Sequence, residues 1–279
     1  MSVGVIIPAR NEEKSIPHVL NALLSQHHRP EQIVVVDDGS SDATGRIARQ
    51  MGCHVVRLPP HKESWVGTPL LAKVYNAGVS ALHEVDYMLI VGADTILPPN
   101  YIERLLVAFK RDRRLVVASG VVDGEGIPVV PRGTGRMIRM AFFKKYVGRF
   151  PTDQYCWESY PIYLALALGF RTLVDANLVI HVMRRTRRYK ACYGFAMREL
   201  NYFPPLALLR CVLATIREAK TGSMMMKTYL FSPFKPKNTI IKAYMRRQQA
   251  KTLLQYCIKP TQALRRIAYR NSIIKNTLK

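Results

Sequence analysis

Two short apolar runs, each ending abruptly in polar residues, constrain this chain more than any other feature. Val3-Gly4-Val5-Ile6-Ile7 breaks into Pro8-Ala9-Arg10-Asn11-Glu12, and Ile33-Val34-Val35-Val36 breaks into Asp37-Asp38-Gly39-Ser40. Runs this short and this rich in β-branched residues read as strands buried on both faces. Between them, Ile16, Val19, Leu20, Leu23 and Leu24 recur at helical spacing up to about Gln26, which predicts one βαβ unit with parallel strands. Open α/β sheets bind ligands in the crevice beyond the carboxyl ends of their strands, so acids placed there are candidates for chemistry.

The alternation continues along the chain. Asp42 is expected to cap a helix over residues 43–51 closed by Gly52, and His54–Leu58 reads as a third strand. A helix over Leu70–Ala81 leads to a strand, Tyr87–Val91, that ends in Gly92-Ala93-Asp94, a third acidic strand end. Pro98-Pro99-Asn100 opens a helix over Tyr101–Lys110, and Leu115–Gly120 is a further strand. The Gly- and Pro-rich segment Asp123–Gly135 is predicted to be a mobile loop, followed by a basic amphipathic helix over Arg136–Tyr146. Ser159–Leu168 is helical by pattern and stopped by Gly169, with a strand over Thr172–Ala176. From about Pro204 the alternation stops, and helical stretches mix Leu, Ile, Met and Tyr with Lys and Arg.

The formal charge of +23 is concentrated at the rear: residues 184–279 carry 22 Lys and Arg against two acids, Glu199 and Glu218. A cationic rear behind a nearly neutral front points to an anionic surface, either phospholipid or nucleic acid. No helix-turn-helix, zinc-finger or RRM pattern accompanies it, and acidic strand ends repel phosphate unless a cation intervenes, so lipid is favoured and nucleic acid is not expected. Five scattered cysteines (Cys53, Cys156, Cys192, Cys211, Cys257) without a CxxC pair indicate neither a disulfide framework nor a cysteine zinc site, and a cytosolic location is expected. Neither a signal peptide nor the roughly 20 apolar residues of a membrane span can be read in it.

Asp38, Asp94 and the later Glu158 would meet at one edge of the sheet. Metal-assisted transfer from a nucleoside diphosphate needs such a meeting: one carboxylate holds a divalent ion that neutralises the leaving pyrophosphate, and another takes the proton of the attacking hydroxyl. A nicotinamide oxidoreductase would carry G-x-G-x-x-G after its first strand, where this chain has Pro8-Ala9-Arg10-Asn11-Glu12. The alternatives are a catalytically weak nucleotide-binding protein or a nucleic-acid-binding protein that uses the basic C-terminal region.

Five pieces, Ile6–Glu12, Val35–Asp42, Lys73–Gly78, Gly92-Ala93-Asp94 and Trp157-Glu158 with Gly169, resemble the family 2 glycosyltransferases of GT-A fold over roughly residues 3–183. The resemblance implies an α/β architecture: a GT-A, Rossmann-like, mostly parallel sheet flanked by helices over residues 1–200, with a basic helical extension over 201–279 that is expected to meet the membrane. It implies an inverting hexosyltransferase that uses Mg²⁺ or Mn²⁺ and a nucleotide-sugar donor, UDP-sugar preferred and GDP-sugar compatible. Pro8, Arg10, Glu12, Asp37, Asp38, Lys73, Ala93 and Arg184 are then expected around the donor, and Asp94 and His181 at the metal. Glu158 takes the place of the catalytic base, eleven residues before Gly169. Gly92 replaces the first acid of the family's DxD, and Trp157 stands where the family usually has Glu. The expected acceptor is a hydroxyl or phosphate on a glycan or a lipid-linked carrier, recognised near Asp123–Gly135, at the cytosolic membrane face.

Overall fold

The protein is described from a computed structural model covering residues 1–131, 133–184 and 192–258. Its centre is β1 (Val3–Ala9), flanked in parallel by β2 (Gln32–Asp37) and β4 (Tyr87–Ile90), with β3 (His54–Arg57) at the edge beside β2. The sheet has eight strands in the order β3-β2-β1-β4-β7-β6-β8-β5, the others being β5 (Thr95–Ile96), β6 (Leu115–Val122), β7 (Arg136–Arg139) and β8 (Arg171–Val182). β7 runs antiparallel between β4 and β6, β6 and β8 are parallel, and β5 caps the end of β8 antiparallel. The continuous burial of β1 and β4 is what a central strand covered on both faces requires.

Helices cover each face. On one side α1 (Ile16–Leu24), α2 (Thr44–Gln50) and α4 (Tyr101–Arg111) pack Leu20, Ala48 and Leu105 over Val5 and Ile7. On the other side α3 (Leu71–Ala81), α5 (Met140–Phe142) and α6 (Tyr160–Ala167) pack Val74, Phe142 and Ile162 over Ile6 and Val36. Gly78 lets α3 approach this closely, since a Cβ there would lie 2.4 Å from Ile6 Cγ2. The rear is helical, with α7 (Tyr193–Glu199), α8 (Pro204–Arg217), α9 (Ala219–Leu230) and α10 (Thr239–Ile258). Ile241 and Met245 of α10 share an apolar cluster with Cys156, Leu164 and Leu200, so packing continues across the expected boundary at residue 200.

One expectation fails outright: Arg136–Tyr146 is not an amphipathic helix. Residues Arg136–Arg139 form β7, and only then does the chain coil, through α5 and a π-helical turn over Phe143–Val147. Gly135, at φ +71°, turns the chain and donates its N–H to the Ile90 carbonyl at 2.7 Å, which starts the antiparallel pairing with β4. Met137 and Ile138 then bury on opposite faces, an arrangement a single helical stripe cannot supply. β8 is also longer than the strand expected over Thr172–Ala176, and β5 was not foreseen, being only two residues long.

Candidate active site

The carboxyl ends of β1 and β2 are stitched together before any ligand is considered. Asn11, in the left-handed region at φ +55°, donates its backbone N–H to Ser40 Oγ at 3.0 Å and accepts the Ser41 N–H on Oδ1 at 2.9 Å. Asp38 donates its N–H to the Ala9 carbonyl at 2.8 Å, which sets its carboxylate just beyond Pro8 and Arg10. Asp37 turns inward: Oδ1 accepts the Ser40 N–H at 2.9 Å, Oδ2 lies 3.9 Å from Arg57 Nε, and a Cβ on Gly45 would meet it at 2.5 Å. It therefore shapes the turn, while Asp38 is the acid of the pair that faces the strand end.

Asp38 has a partner that sequence reasoning missed. His61 Nε2 lies 2.9 Å from Asp38 Oδ1, and Arg10 Nη1 lies 2.9 Å from His61 Nδ1. His61 Nδ1 also lies 2.5 Å from the Glu63 carbonyl oxygen, so both ring nitrogens face oxygen acceptors, Nε2 the Asp38 carboxylate and Nδ1 the main chain. The His61 ring stacks on Trp65 at 3.9 Å and 7° between planes, and Lys73 Nζ stands 5.7 Å over the Trp65 ring. Arg10, Asp38, His61, Trp65 and Lys73 thus form one connected run of side chains, with Pro8 in the adjoining strand end. The only sequence hint of its aromatic half was the Trp65 ring in a largely polar stretch, Pro59–Thr68.

At the end of β4, Asp94 has a half-buried carboxylate. Burial pushes its carboxyl above the ordinary range, the Arg184 guanidinium pulls it down, and the neighbouring Glu12 carboxylate pushes it up again. Arg184 binds Glu12 and lies 3.9 Å from Asp94 Oδ2, and it reaches them because Met183 N–H donates to the Asp94 carbonyl at 2.8 Å. A desolvated carboxylate beside a second acid suits a hard divalent cation whose other ligands come from a substrate. Among the described residues no three of His, Cys, Asp and Glu converge to hold a metal, so His181 is not gathered with Asp94 and Glu12. His181 pairs with Ile96 across β5 and β8 and is exposed. Ala93 is buried beneath the turn. Gly92 has no room for an acid without adjustment: a Cβ there would lie 2.8 Å from Thr95 Oγ1 and 3.1 Å from Asp94 Oδ1.

Glu158 occupies the turn before α6 and comes next to this strand end through one short segment. Gly92 N–H donates to Thr134 Oγ1 at 2.9 Å, while Gly133, one residue earlier, lies so close to Glu158 that a Cβ would sit 2.0 Å from its Oε1. Glu199 holds the turn from behind, its Oε2 accepting the Cys156 N–H at 2.8 Å; burial pushes the Glu199 carboxyl up, against the N–H bonds from Cys156 and Tyr155. Trp157 points away from the cleft into the core, edge-on to Tyr75 and Phe150, which is why an aromatic ring can replace an acid there.

The chain is similar to known proteins to different extents. A 4,4'-diaponeurosporenoate glycosyltransferase of Staphylococcus haemolyticus is 36% identical over 116 residues, 40% of this chain and 29% of its own length. Its Staphylococcus aureus counterpart is 49% identical over 67 residues, 24% of this chain and 18% of its own length. The chain thus spans under a third of the curated relatives it matches. In solved structures the fold resembles a Pyrobaculum calidifontis mannosyltransferase in complex with GDP-Man and Mn²⁺, with TM-score 0.55, 18% identity, and coverage of 99% of this chain and 86% of the other. It also resembles Staphylococcus aureus TarS in complex with UDP-GlcNAc, with TM-score 0.54, 20% identity, and coverage of 82% and 72%. The pattern of glycosyl transferase family 2 matches residues 4–169, more than half of the sequence and the ends of β1, β2 and β4, and the chain belongs to that family.

Proposed function

We propose that this protein is a metal-dependent, inverting hexosyltransferase that moves a sugar from a nucleoside-diphosphate sugar, UDP in preference to GDP, to a hydroxyl or phosphate on a glycan or lipid-linked acceptor at the cytosolic membrane face. The observation that carries this reading is the segment 133–135, which touches the Asp94 turn on one side and Glu158 on the other. One short segment thus connects the strand end that carries Asp94 to Glu158.

In this reading the nucleotide base meets Pro8, Arg10 and Asp38, whose carboxylate can accept a base N–H in exchange for that of His61. Asp94 would hold the divalent ion together with diphosphate oxygens of the donor, and His181, expected at the metal, stands apart from Asp94 and Glu12. The ion supplies charge neutralisation of the leaving diphosphate. Lys73 and Arg184 bring cationic charge to the phosphates, and Glu12 holds Arg184 in place. Glu158 removes the proton of the acceptor hydroxyl as it attacks the anomeric carbon in line, which inverts the configuration.

The test combines ligand-induced thermal stabilisation with transfer. UDP, GDP and their sugars, each with and without Mn²⁺, should raise the melting temperature of the native protein, since a ligand at 100 times its Kd adds about 2.7 kcal/mol of stability. Glu158→Gln should keep that stabilisation and lose transfer by roughly 10²–10⁴-fold, the usual contribution of a positioned base. Full transfer activity in Glu158→Gln refutes the base assignment, and stabilisation by no nucleotide refutes the donor assignment.

A further inference from the structure

Arg136 is the largest fully buried side chain among the described residues, and the proposed chemistry does not use it. It opens β7 opposite Ile90, on the face of the sheet that carries Trp157 and Phe150. Its Nη1 donates to the Glu158 backbone carbonyl at 2.6 Å, while Nε and Nη2 are buried and find no hydrogen-bond partner among the described residues. Those two nitrogens form the lateral edge of the guanidinium, the edge that presents parallel N–H groups to a carboxylate. Leaving such donors unmade in a buried cation is costly, and an apolar side chain of similar volume would avoid the cost.

The charges that surround the guanidinium identify its partner. Burial pulls the Arg136 group down from its ordinary range, and Glu158 and then Tyr75 act in the opposite direction. Tyr75, whose phenol burial pushes up, feels the same Glu158 carboxylate. The Glu158 carboxylate, held against Gly133 in this structure, is an acid within electrostatic range of a cation that already holds its main chain.

We propose that Arg136 is the positioning residue for Glu158. Nη1 fixes the main chain of the base, and the cation with its open lateral edge supplies the counter-charge that keeps the carboxylate at the reacting side of the cleft. The proposal rests on Glu158 being the base. It goes further in assigning a role to a buried residue that lies outside the donor and metal contacts.

The test uses the full chain and compares Arg136→Met, Arg136→Lys, Glu158→Gln and Arg136→Met/Glu158→Gln. Melting-temperature shifts with UDP and Mn²⁺ confirm that each variant is folded and donor-competent. Arg136→Met should lower kcat for transfer at least 30-fold with the donor KM within threefold, and Arg136→Lys should restore at least a third of the lost rate on a logarithmic scale. The double variant should be no slower than Glu158→Gln alone, because residues that act as a unit do not add. The proposal is overturned if Arg136→Met raises an acceptor or donor KM with kcat unchanged, which would make Arg136 a substrate contact, or if the two substitutions multiply. If Arg136→Met does not fold, the comparison rests on Arg136→Lys with and without Glu158→Gln. There a kcat loss that is present beside the native Glu158 and vanishes in the Glu158→Gln background supports the proposal, and an equal loss in both overturns it. An active Glu158→Gln would refute the base assignment itself, whatever the Arg136 variants do.

Discussion

Gly133 carries the narrowest tolerance at the site. It has no left-handed backbone to maintain, so alanine is acceptable to the main chain, yet the added methyl would meet Glu158 Oε1 at 2.0 Å. The carboxylate is the flexible partner and must give way. Gly133→Ala is therefore expected to change folding stability by little, within the about ±0.5 kcal/mol typical of surface changes, while lowering kcat for transfer about tenfold or more. Steady-state kinetics beside a thermal melt check this, and unaltered kcat would show that the carboxylate does not work from this place. Gly92 illustrates the same principle from the other direction: its neighbours Thr95, Asp94 and Thr134 fill the volume where an aspartate would stand, so the site is built around one strand-end acid and not two.

The turn before α6 depends on α7. Glu199 reaches from α7 to the Cys156 N–H, and burial raises its carboxyl above the ordinary value that the unfolded chain would show. A raised acid stabilises the fold fully below its unfolded pKa and progressively loses that contribution as pH rises through the folded one. Glu199→Gln keeps an oxygen acceptor and cannot ionise. Its melting temperature relative to the native protein should therefore climb as pH goes from about 4 to about 8. A difference that stays constant over that span would remove Glu199 from the account. At this scale the strands of the parallel half were legible in the sequence because β-branched runs such as Ile33–Val36 have no other use than burial on both faces. The antiparallel half was not: the Arg136–Tyr146 pattern mimics a helix, and only the Gly135 turn and the pairing with Ile90 settle it as a strand. The strand-end acids were legible for the same reason as their strands. His61 and Trp65 were not, because a stacked pair in an irregular segment has no period, and Arg136 was not, because a buried cation looks like a surface one until its neighbours are known.

Over the whole molecule, the rear helices combine buried apolar packing with exposed apolar and basic side chains. One face of α10 joins the catalytic core through Ile241 and Met245, while α8 leaves Leu209, Val212 and Ile216 exposed on one stripe, with Ile216 at 77%, and Phe231 after α9 is 78% exposed. No helix among the described residues is long and apolar enough to cross a membrane. Such a stripe on a helix that also carries Arg210, followed by α9 with Lys220 and Lys227, is suited to lying in the headgroup region of an anionic bilayer, where each basic residue contributes about 1 kcal/mol. Flotation with vesicles should therefore show binding that needs anionic lipid and weakens with salt. Lys220→Ala and Lys227→Ala should each reduce partitioning roughly fivefold, and Leu209→Asp with Ile216→Asp should abolish it. Equal recovery with purely zwitterionic vesicles would leave the rear helices without this role.

Arg184 links the two ends of the catalytic half, with Glu12 and Asp94 both in its reach. An enzyme that stores negative charge for an incoming ion would ordinarily strain against itself whenever that ion is scarce. In the proposed reading a tethered side chain is the resident counter-ion: the Arg184 guanidinium offsets one of the two negative charges of Glu12 and Asp94 when no divalent ion is bound, so treatment with a chelator is expected to leave the fold intact.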